Sequence, residues 1–386
     1  MGAARKRLWG FVAIAVMLFS LPVQAAWEDS LGLEQAKGAV LIEAASGRIL
    51  AEHHCRQPLA NASTTKIMTA LLTLEQPNLD ESFAVDADAV RVEGSSMGLA
   101  AGDQVTLRTL AWGMLLSSGN DAANAAAVRI DGSIEAFCER MNRRAAQLGM
   151  EDTHFGSPSG LDVGEHHTTA YDLALLTREA LANELFAEMV RTQSVSLSYG
   201  NPPVRHQLTN HNRLLWQYEP CIGVKTGFTE AAGRCLVSAA EQDGLTLIAV
   251  TLGCPDDFAL HSRMYESAFS ELQYLDLSGT LGHFSVAVTG ADKPRVSVRP
   301  LWAPGAYLTA QEQSHYQVSV FLEPFLYAPV QKDQPVGMVA LTLDGQTLSV
   351  TPLVAAEDLS VRLPQYRSIL QQIKDFFSPP QWLYSP

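Results

Sequence analysis

The chain has 386 residues and a formal charge of −14, from 41 acidic against 27 basic side chains, with 47% hydrophobic residues and five cysteines. An acidic balance of this size excludes binding to nucleic acid by phosphate neutralisation, which needs a basic face. The length implies two domains, and cysteines at 55, 138, 221, 235 and 254, odd in number and without C-x-x-C spacing, fit neither a zinc site nor a dense disulfide frame.

Residues 1–25 carry Arg5, Lys6 and Arg7, then an apolar stretch from Leu8 to Leu21, then Val23-Gln24-Ala25. That is the pattern of a secretory signal peptide, with cleavage expected after Ala25 or Ala26. The apolar stretch is short for a spanning helix, an uncleaved anchor being the other reading. Losing the leader's three cations takes the chain from −14 to about −17.

Next comes Ser63-Thr64-Thr65-Lys66. A serine hydroxyl needs a neighbouring base to become a nucleophile, and three residues of helix bring two side chains onto one face. Asn61 is a candidate cap, and Lys66-Ile67-Met68-Thr69-Ala70-Leu71-Leu72 continues as an apolar helical run. A lysine must lose its proton to act as the base, through burial or a cationic neighbour, and Lys225 is a candidate for that neighbour. Taken alone, Lys66 reads first as a solvated helix lysine.

Leu107, Leu110, Ala111, Met114 and Leu115 recur at helical spacing and run into the turn residues Ser117-Ser118-Gly119-Asn120-Asp121; a further helix is expected from Ala122 to Ile130. Such a turn suits the presentation of a hydroxyl and an amide to a cleft, although plain turn chemistry is the first reading of Ser118 and Asn120 taken alone. Cys221 to Thr229 reads as a strand containing Lys225-Thr226-Gly227, where the missing Gly227 side chain lets another backbone approach. Cys235–Ala240 and Leu245–Leu252 read as a hairpin turning at Asp243-Gly244. After Phe269, alternation at Ser285–Val288, Tyr316–Leu322, Gly337–Leu343 and Thr347–Leu353 predicts a small all-β module. Tyr366, Ile369, Leu370, Ile373, Phe376 and Phe377 share one helical face in the tail, with Arg367 and Lys374 nearby.

Each of the three strings S-x-x-K, S-x-N and K-T-G is weak alone; their occurrence in this order points to serine-based acyl transfer. With them, Ala39–Leu50, Ala62–Thr69, Gly94-Ser95-Ser96-Met97 with Gly102, Leu116–Ala122, Gly160-Leu161-Asp162 and His167–Asp172 resemble the low-molecular-weight penicillin-binding proteins, the D-alanyl-D-alanine carboxypeptidases of the penicillin-binding protein 5 type. The likeness covers roughly residues 30 to 360. It implies an α/β (α+β) domain of the β-lactamase and transpeptidase kind over 27–275, with an antiparallel sheet flanked by helices. A β-rich domain over 280–360 and a tail over 361–386 would follow, the tail being either a modest membrane anchor or a helix docked on the protein.

Carried over by residue, the resemblance implies Ser63 as nucleophile, Lys66 as general base and Ser118 as proton relay. Asn120 would hold substrate or the lysine. Lys225, Thr226 and Gly227 belong to the substrate-binding strand, where the first two meet a terminal carboxylate, and the backbone N–H groups of Ser63 and Phe228 would form the oxyanion hole. Neither metal nor cofactor is implied. The implied partners are a peptidoglycan stem peptide ending in D-Ala-D-Ala and β-lactams, and the implied location is the outer face of the cytoplasmic membrane or the wall space.

The chain departs from the family at Ser157, often asparagine, and at Phe228, histidine in some members. A carboxylate-binding arginine found in some relatives has no clean counterpart, Arg263 being the nearest candidate, and His167 reads as a loop-holding residue. The rival readings are a β-lactamase, disfavoured by the β-rich module and tail, and a silent wall-peptide-binding homologue, disfavoured by intact Ser63, Lys66 and Lys225.

Overall fold

The structure, a computed structural model, describes residues 27–362. The leader expected over 1–25 and the apolar face expected from Tyr366 to Phe377 lie outside the described residues. The described residues divide into two compact units, the first of residues 27–41, 49–239 and 249–267, the second of residues 42–48, 240–248 and 268–362.

In chain order the first part of the molecule runs β1 (Gly38–Glu43), β2 (Ile49–His53), α1 (Lys66–Leu74), the short pair β3 (Phe83–Ala84) and β4 (Gln104–Val105), then helices α2 (Leu107–Leu116), α3 (Asn120–Asp131), α4 (Ile134–Gln147), α5 (Ala170–Leu181) and α6 (Glu184–Arg191). The hairpin β5 (Ser194–Tyr199) and β6 (Val204–Thr209) and the single turn α7 (Leu214–Gln217) lead into β7 (Cys221–Thr229), β8 (Gly233–Gln242), β9 (Leu245–Leu252) and α8 (Asp257–Glu271). Five strands form one sheet in the order β2-β1-β9-β8-β7. Hydrogen bonds from Lys37 N to Leu252 O and from Ala44 N to Thr246 O set β1 antiparallel to β9.

Short polar residues punctuate the helices. Thr106, Ser133, Thr169 and Asn183 each accept a first-turn backbone N–H with the side chain, at α2, α4, α5 and α6 respectively, which satisfies donors that the helix cannot. Every residue of α1 is buried, so its polar side chains need partners: the Thr69 hydroxyl donates to Pro158 O and that of Thr73 to Thr69 O. Helix α8 meets β8 and β9 through a buried polar knot in which Ser238 Oγ lies 2.6 Å from both His261 Nδ1 and the Tyr265 hydroxyl, while Thr251 Oγ1 reaches His261 Nε2. Burial pushes the His261 pKa down to about 3, so the ring stays neutral.

The second unit continues with β10 (Gln273–Asp276), β11 (Phe284–Thr289), β12 (Arg295–Pro300), β13 (Gly305–Leu308), β14 (Gln317–Leu322), β15 (Leu326–Tyr327), β16 (Pro335–Leu343) and β17 (Gln346–Ala355). Six of them form a sheet in the order β14-β16-β17-β12-β11-β15, and β10 pairs with β13. Sequence alternation marks β11, β14, β16 and β17 and leaves β10, β12, β13 and β15 unannounced. One apolar cluster gathers Val286, Val296, Val336, Ala355 and Leu359, another Leu277, Leu308, Leu341 and Leu348. Arg48 is buried within this unit; its guanidinium donates to Glu312 at 2.8 Å and to Tyr307 O at 3.0 Å. Among the described residues no helix is long and apolar enough to cross a membrane.

Phe137 on α4 is fully buried. Truncation at such a site removes its transfer energy and leaves a cavity, about 3–5 kcal/mol together. Phe137→Ala is therefore expected to lower the urea midpoint with an unchanged slope, read by circular dichroism.

Candidate active site

All three motifs converge on one cleft of about 300 Å³ in the first unit, whose lining includes Ser63, Ser95, Ser118, Thr226, Gly227 and Phe228. The first motif does not sit in an α-helix throughout. Residues Ala62–Thr65 form a 3-10 turn and the α-helix begins at Lys66. Asn61 does not cap through its side chain to the backbone as expected. Its amide instead donates to the hydroxyls of Thr64 and Thr65, at 3.1 and 2.9 Å, tying the turn together from inside. Ala62 has φ +48° and Ser118 φ +58°, conformations that cost a non-glycine residue of order 1–3 kcal/mol and are held by the surrounding packing.

The tighter turn still brings Ser63 and Lys66 together. Lys66 Nζ lies 2.9 Å from Ser63 Oγ, 2.7 Å from Asn120 Oδ1 and 2.6 Å from Ser159 O. The Asn120 amide is oriented by its other end, since Nδ2 donates to Glu93 O at 2.6 Å and Oδ1 must then face the lysine. A neutral amine has two N–H donors and one lone pair. The two carbonyl oxygens can only accept, so they take both N–H groups, and the lone pair is directed at the Ser63 hydroxyl.

The amine is prepared to be neutral. Lys66 is fully buried, and loss of hydration together with the second positive charge at Lys225 holds its pKa well below 10.5, against the opposing pull of Asp121. Lys225 is itself pushed down to about 7 by burial; its Nζ donates to Thr226 O at 2.7 Å. Asp121, beside Asn120, accepts from Ser96 Oγ and from the backbone N–H groups of Met97, Gly98 and Leu99. It thereby fastens the segment that presents Ser95 to the cleft.

Gly227 lacks a side chain for a reason inside the chain itself. A Cβ there would stand 3.0 Å from Asn61 O and from Ser63 N and 3.1 Å from Thr64 N, so β7 passes directly against the turn that carries Ser63. Phe228 follows with two thirds of its surface exposed, an aromatic wall at the mouth of the cleft.

Arg263 is not part of this cleft; its Nε reaches Leu31 O at 3.4 Å. The cleft is lined instead by Arg213, Arg234 and His211, which sequence reasoning does not single out. Arg234, the second residue of β8, is held by the buried Asp257 at 2.6 Å and lies over the Phe258 ring. Its place beside the third motif follows from the β7–β8 hairpin, a signal present in the strand pattern. His167 pairs through its backbone with His154 and has its Nδ1 2.6 Å from Glu165 O, whereas the more buried histidine is its neighbour His166. Ser157 closes a turn, its hydroxyl donating to Leu161 O and accepting from Gly160 N. All five cysteines are free and buried.

Removing the Lys225 charge has a definite sign. In Lys225→Met the Lys66 amine is expected to titrate at higher pH than in the unmodified protein, read from the lysine side-chain carbon shifts by NMR; an unchanged or lower midpoint contradicts the coupling.

The sequence profile of the D-alanyl-D-alanine carboxypeptidase family matches residues 26–256, and that of the penicillin-binding protein 5 C-terminal domain matches residues 290–360. The D-alanyl-D-alanine carboxypeptidase DacF of Bacillus subtilis is 32% identical over 371 residues, covering 92% of this chain and 95% of the relative. DacC of Escherichia coli is 31% identical over 341 residues, 84% of each. Among solved structures, penicillin binding protein 5 from Haemophilus influenzae superposes with a TM-score of 0.66 at 27% identity, covering 84% of this chain and 98% of that one. With a serine, a dehydrated lysine and a strand edge meeting in one cleft, and with likeness that runs through both units, the chain belongs to the D-alanyl-D-alanine carboxypeptidase family.

Proposed function

We propose that this protein is a serine-type D-Ala-D-Ala carboxypeptidase that removes the last D-alanine from peptidoglycan stem peptides through an acyl-enzyme on Ser63. The observation that carries the reading is the contact of the fully buried Lys66 Nζ with Ser63 Oγ at 2.9 Å. Ser63 Oγ attacks the carbonyl joining the two D-alanines as its proton passes to the Lys66 amine. The N–H groups of Ser63 and Phe228 stabilise the resulting oxyanion, a contribution of about 10²–10³ in rate for one such donor. Collapse expels D-alanine, whose nitrogen takes a proton relayed by Lys66 and Ser118, and water then attacks the ester with Lys66 again as base. Asn120 orients the lysine, Thr226 and Lys225 face the terminal carboxylate, and Arg234 adds the cation that Arg263 does not supply. β-Lactams acylate Ser63 by the same attack on their ring carbonyl.

The signal-peptide pattern of residues 1–25 supports export, and the amphipathic tail supports peripheral attachment to the outer face of the cytoplasmic membrane. The catalytic unit would then meet its substrate in the wall space.

Incubation of the mature protein with labelled penicillin and with a D-Ala-D-Ala peptide separates the readings. A long-lived adduct with release of D-alanine is expected, and Ser63→Ala abolishes both. Rapid penicillin turnover without peptide cleavage identifies a β-lactamase, and no reaction with either a silent wall-peptide-binding homologue. The acylation rate is expected to fall as pH drops through the depressed Lys66 pKa, because protonation fills the lone pair that takes the serine proton. Arg234→Gln is expected to raise KM for the peptide about tenfold, the cost of one charged hydrogen bond, with kcat little changed.

A further inference from the structure

Of the three oxygens around Lys66 Nζ, Ser159 O is the one supplied by a loop and not by a motif. Orientation of the lone pair depends on that oxygen as much as on Asn120. The loop wraps the nucleophile turn so closely that a Cβ on Gly160, which has φ +86°, would stand 1.9 Å from Ala62 O.

One buried side chain joins this loop to the turn. His166 is 7% exposed and does not line the cleft. Its Nδ1 accepts the Gly156 N–H at 3.0 Å, so the single proton of the neutral ring sits on Nε2. From there it donates to the Thr65 hydroxyl at 2.8 Å. Thr65 is the residue before Lys66, and Gly156 begins the segment that carries Ser159. Both nitrogens are committed, and the Gly156 N–H, which can only donate, fixes their roles.

We propose that His166 is a positioning residue for acyl transfer: by bridging Gly156 to Thr65 it sets the Ser159 carbonyl against the Lys66 amine and so aims the lysine lone pair at Ser63. The inference rests on the reading of Lys66 as the base. Burial holds the ring neutral, with a pKa of about 4; His154, His167 and Lys66 oppose its protonation and Asp162 favours it. A protonated ring would turn Nδ1 into a donor facing the Gly156 N–H, and the bridge would open. The depressed pKa means that the bridge's stability is complete above the ordinary histidine value of 6.5 and is lost as pH falls through about 4.

The bridge can be removed without removing the loop's other fastenings, because Asn142 still holds Phe155 through both its N–H and its carbonyl and Thr69 still holds Pro158. In His166→Ala, acylation by labelled penicillin is expected to slow about tenfold, the scale of a small misplacement of a reacting group, with the noncovalent affinity unchanged. Amide hydrogen exchange over 156–161 is expected to speed up while the sheet stays protected. His166→Asn, whose side-chain oxygen can take the Gly156 N–H but whose amide falls one bond short of Thr65, should recover the protection at Gly156 and not the rate. Wild-type acylation by His166→Ala, unchanged exchange over 156–161, or an Asn variant with the wild-type acylation rate overturns the proposal. Should the Ala variant not fold, the unmodified protein decides: exchange at Gly156 must accelerate as pH falls through about 4, after correction for the intrinsic rate, and constant protection overturns the bridge. A protein that forms no penicillin adduct at all would count against the proposed function, while exchange at Gly156 would still decide for or against the bridge.

Discussion

The structure turns on one dehydrated amine. Lys66 sits at the start of a helix buried at every position, and taking an ammonium out of water without a carboxylate partner is costly enough that the group gives up its proton instead. Here no carboxylate pairs with it directly, and the nearby Lys225 adds repulsion. The resulting neutral nitrogen is useful only if its lone pair points at the serine, so the site consists of acceptors arranged to occupy its two hydrogens. Asn120, itself fixed by Glu93 O, and the Ser159 carbonyl do this.

The elements around the site follow from that requirement. Strand β7 approaches the Ser63 turn until a Cβ at 227 would crowd its backbone at 3.0–3.1 Å, and the loop after Phe155 approaches from another side until only glycine fits at 160. The turn between them is tied internally by Asn61 and strained at Ala62. Partnered polar groups hold this arrangement more rigidly than apolar packing alone would, since a misplaced buried donor or acceptor costs about 1–3 kcal/mol, although the buried Asn61 Oδ1 has no hydrogen-bond partner. Asp121 serves the opposite rim in the same manner, with its carboxylate spread over one hydroxyl and several backbone N–H groups.

Much of this is legible in the chain. The helix α2, the turn after it, the strand bearing Lys225 and the β-rich second unit follow from periodicity and turn chemistry, because those signals are local. The 3-10 turn does not, since Asn61-Ala62-Ser63-Thr64 offers an ordinary capping pattern and only contact with β7 and the Gly160 loop forces the tighter geometry. Arg234 and Arg213 escape notice in the sequence because a cation on a strand or in a turn is usually a solvated side chain. His166 is overshadowed by His167, which stands next to it and differs only in which way the strand-like segment turns it.

The sequence by itself determined the chemistry available: a hydroxyl three residues before an amine, an amide oriented by a turn, a second lysine on a strand, and an acidic chain with a secretory leader pattern. Side-chain identity and local spacing are enough for that. The tertiary structure decided which of these groups are dry, which face one another, and which distant residues complete the site. Those properties depend on burial and on contacts across long stretches of chain, such as Lys66 with Ser159 and Thr65 with His166, which no local pattern encodes.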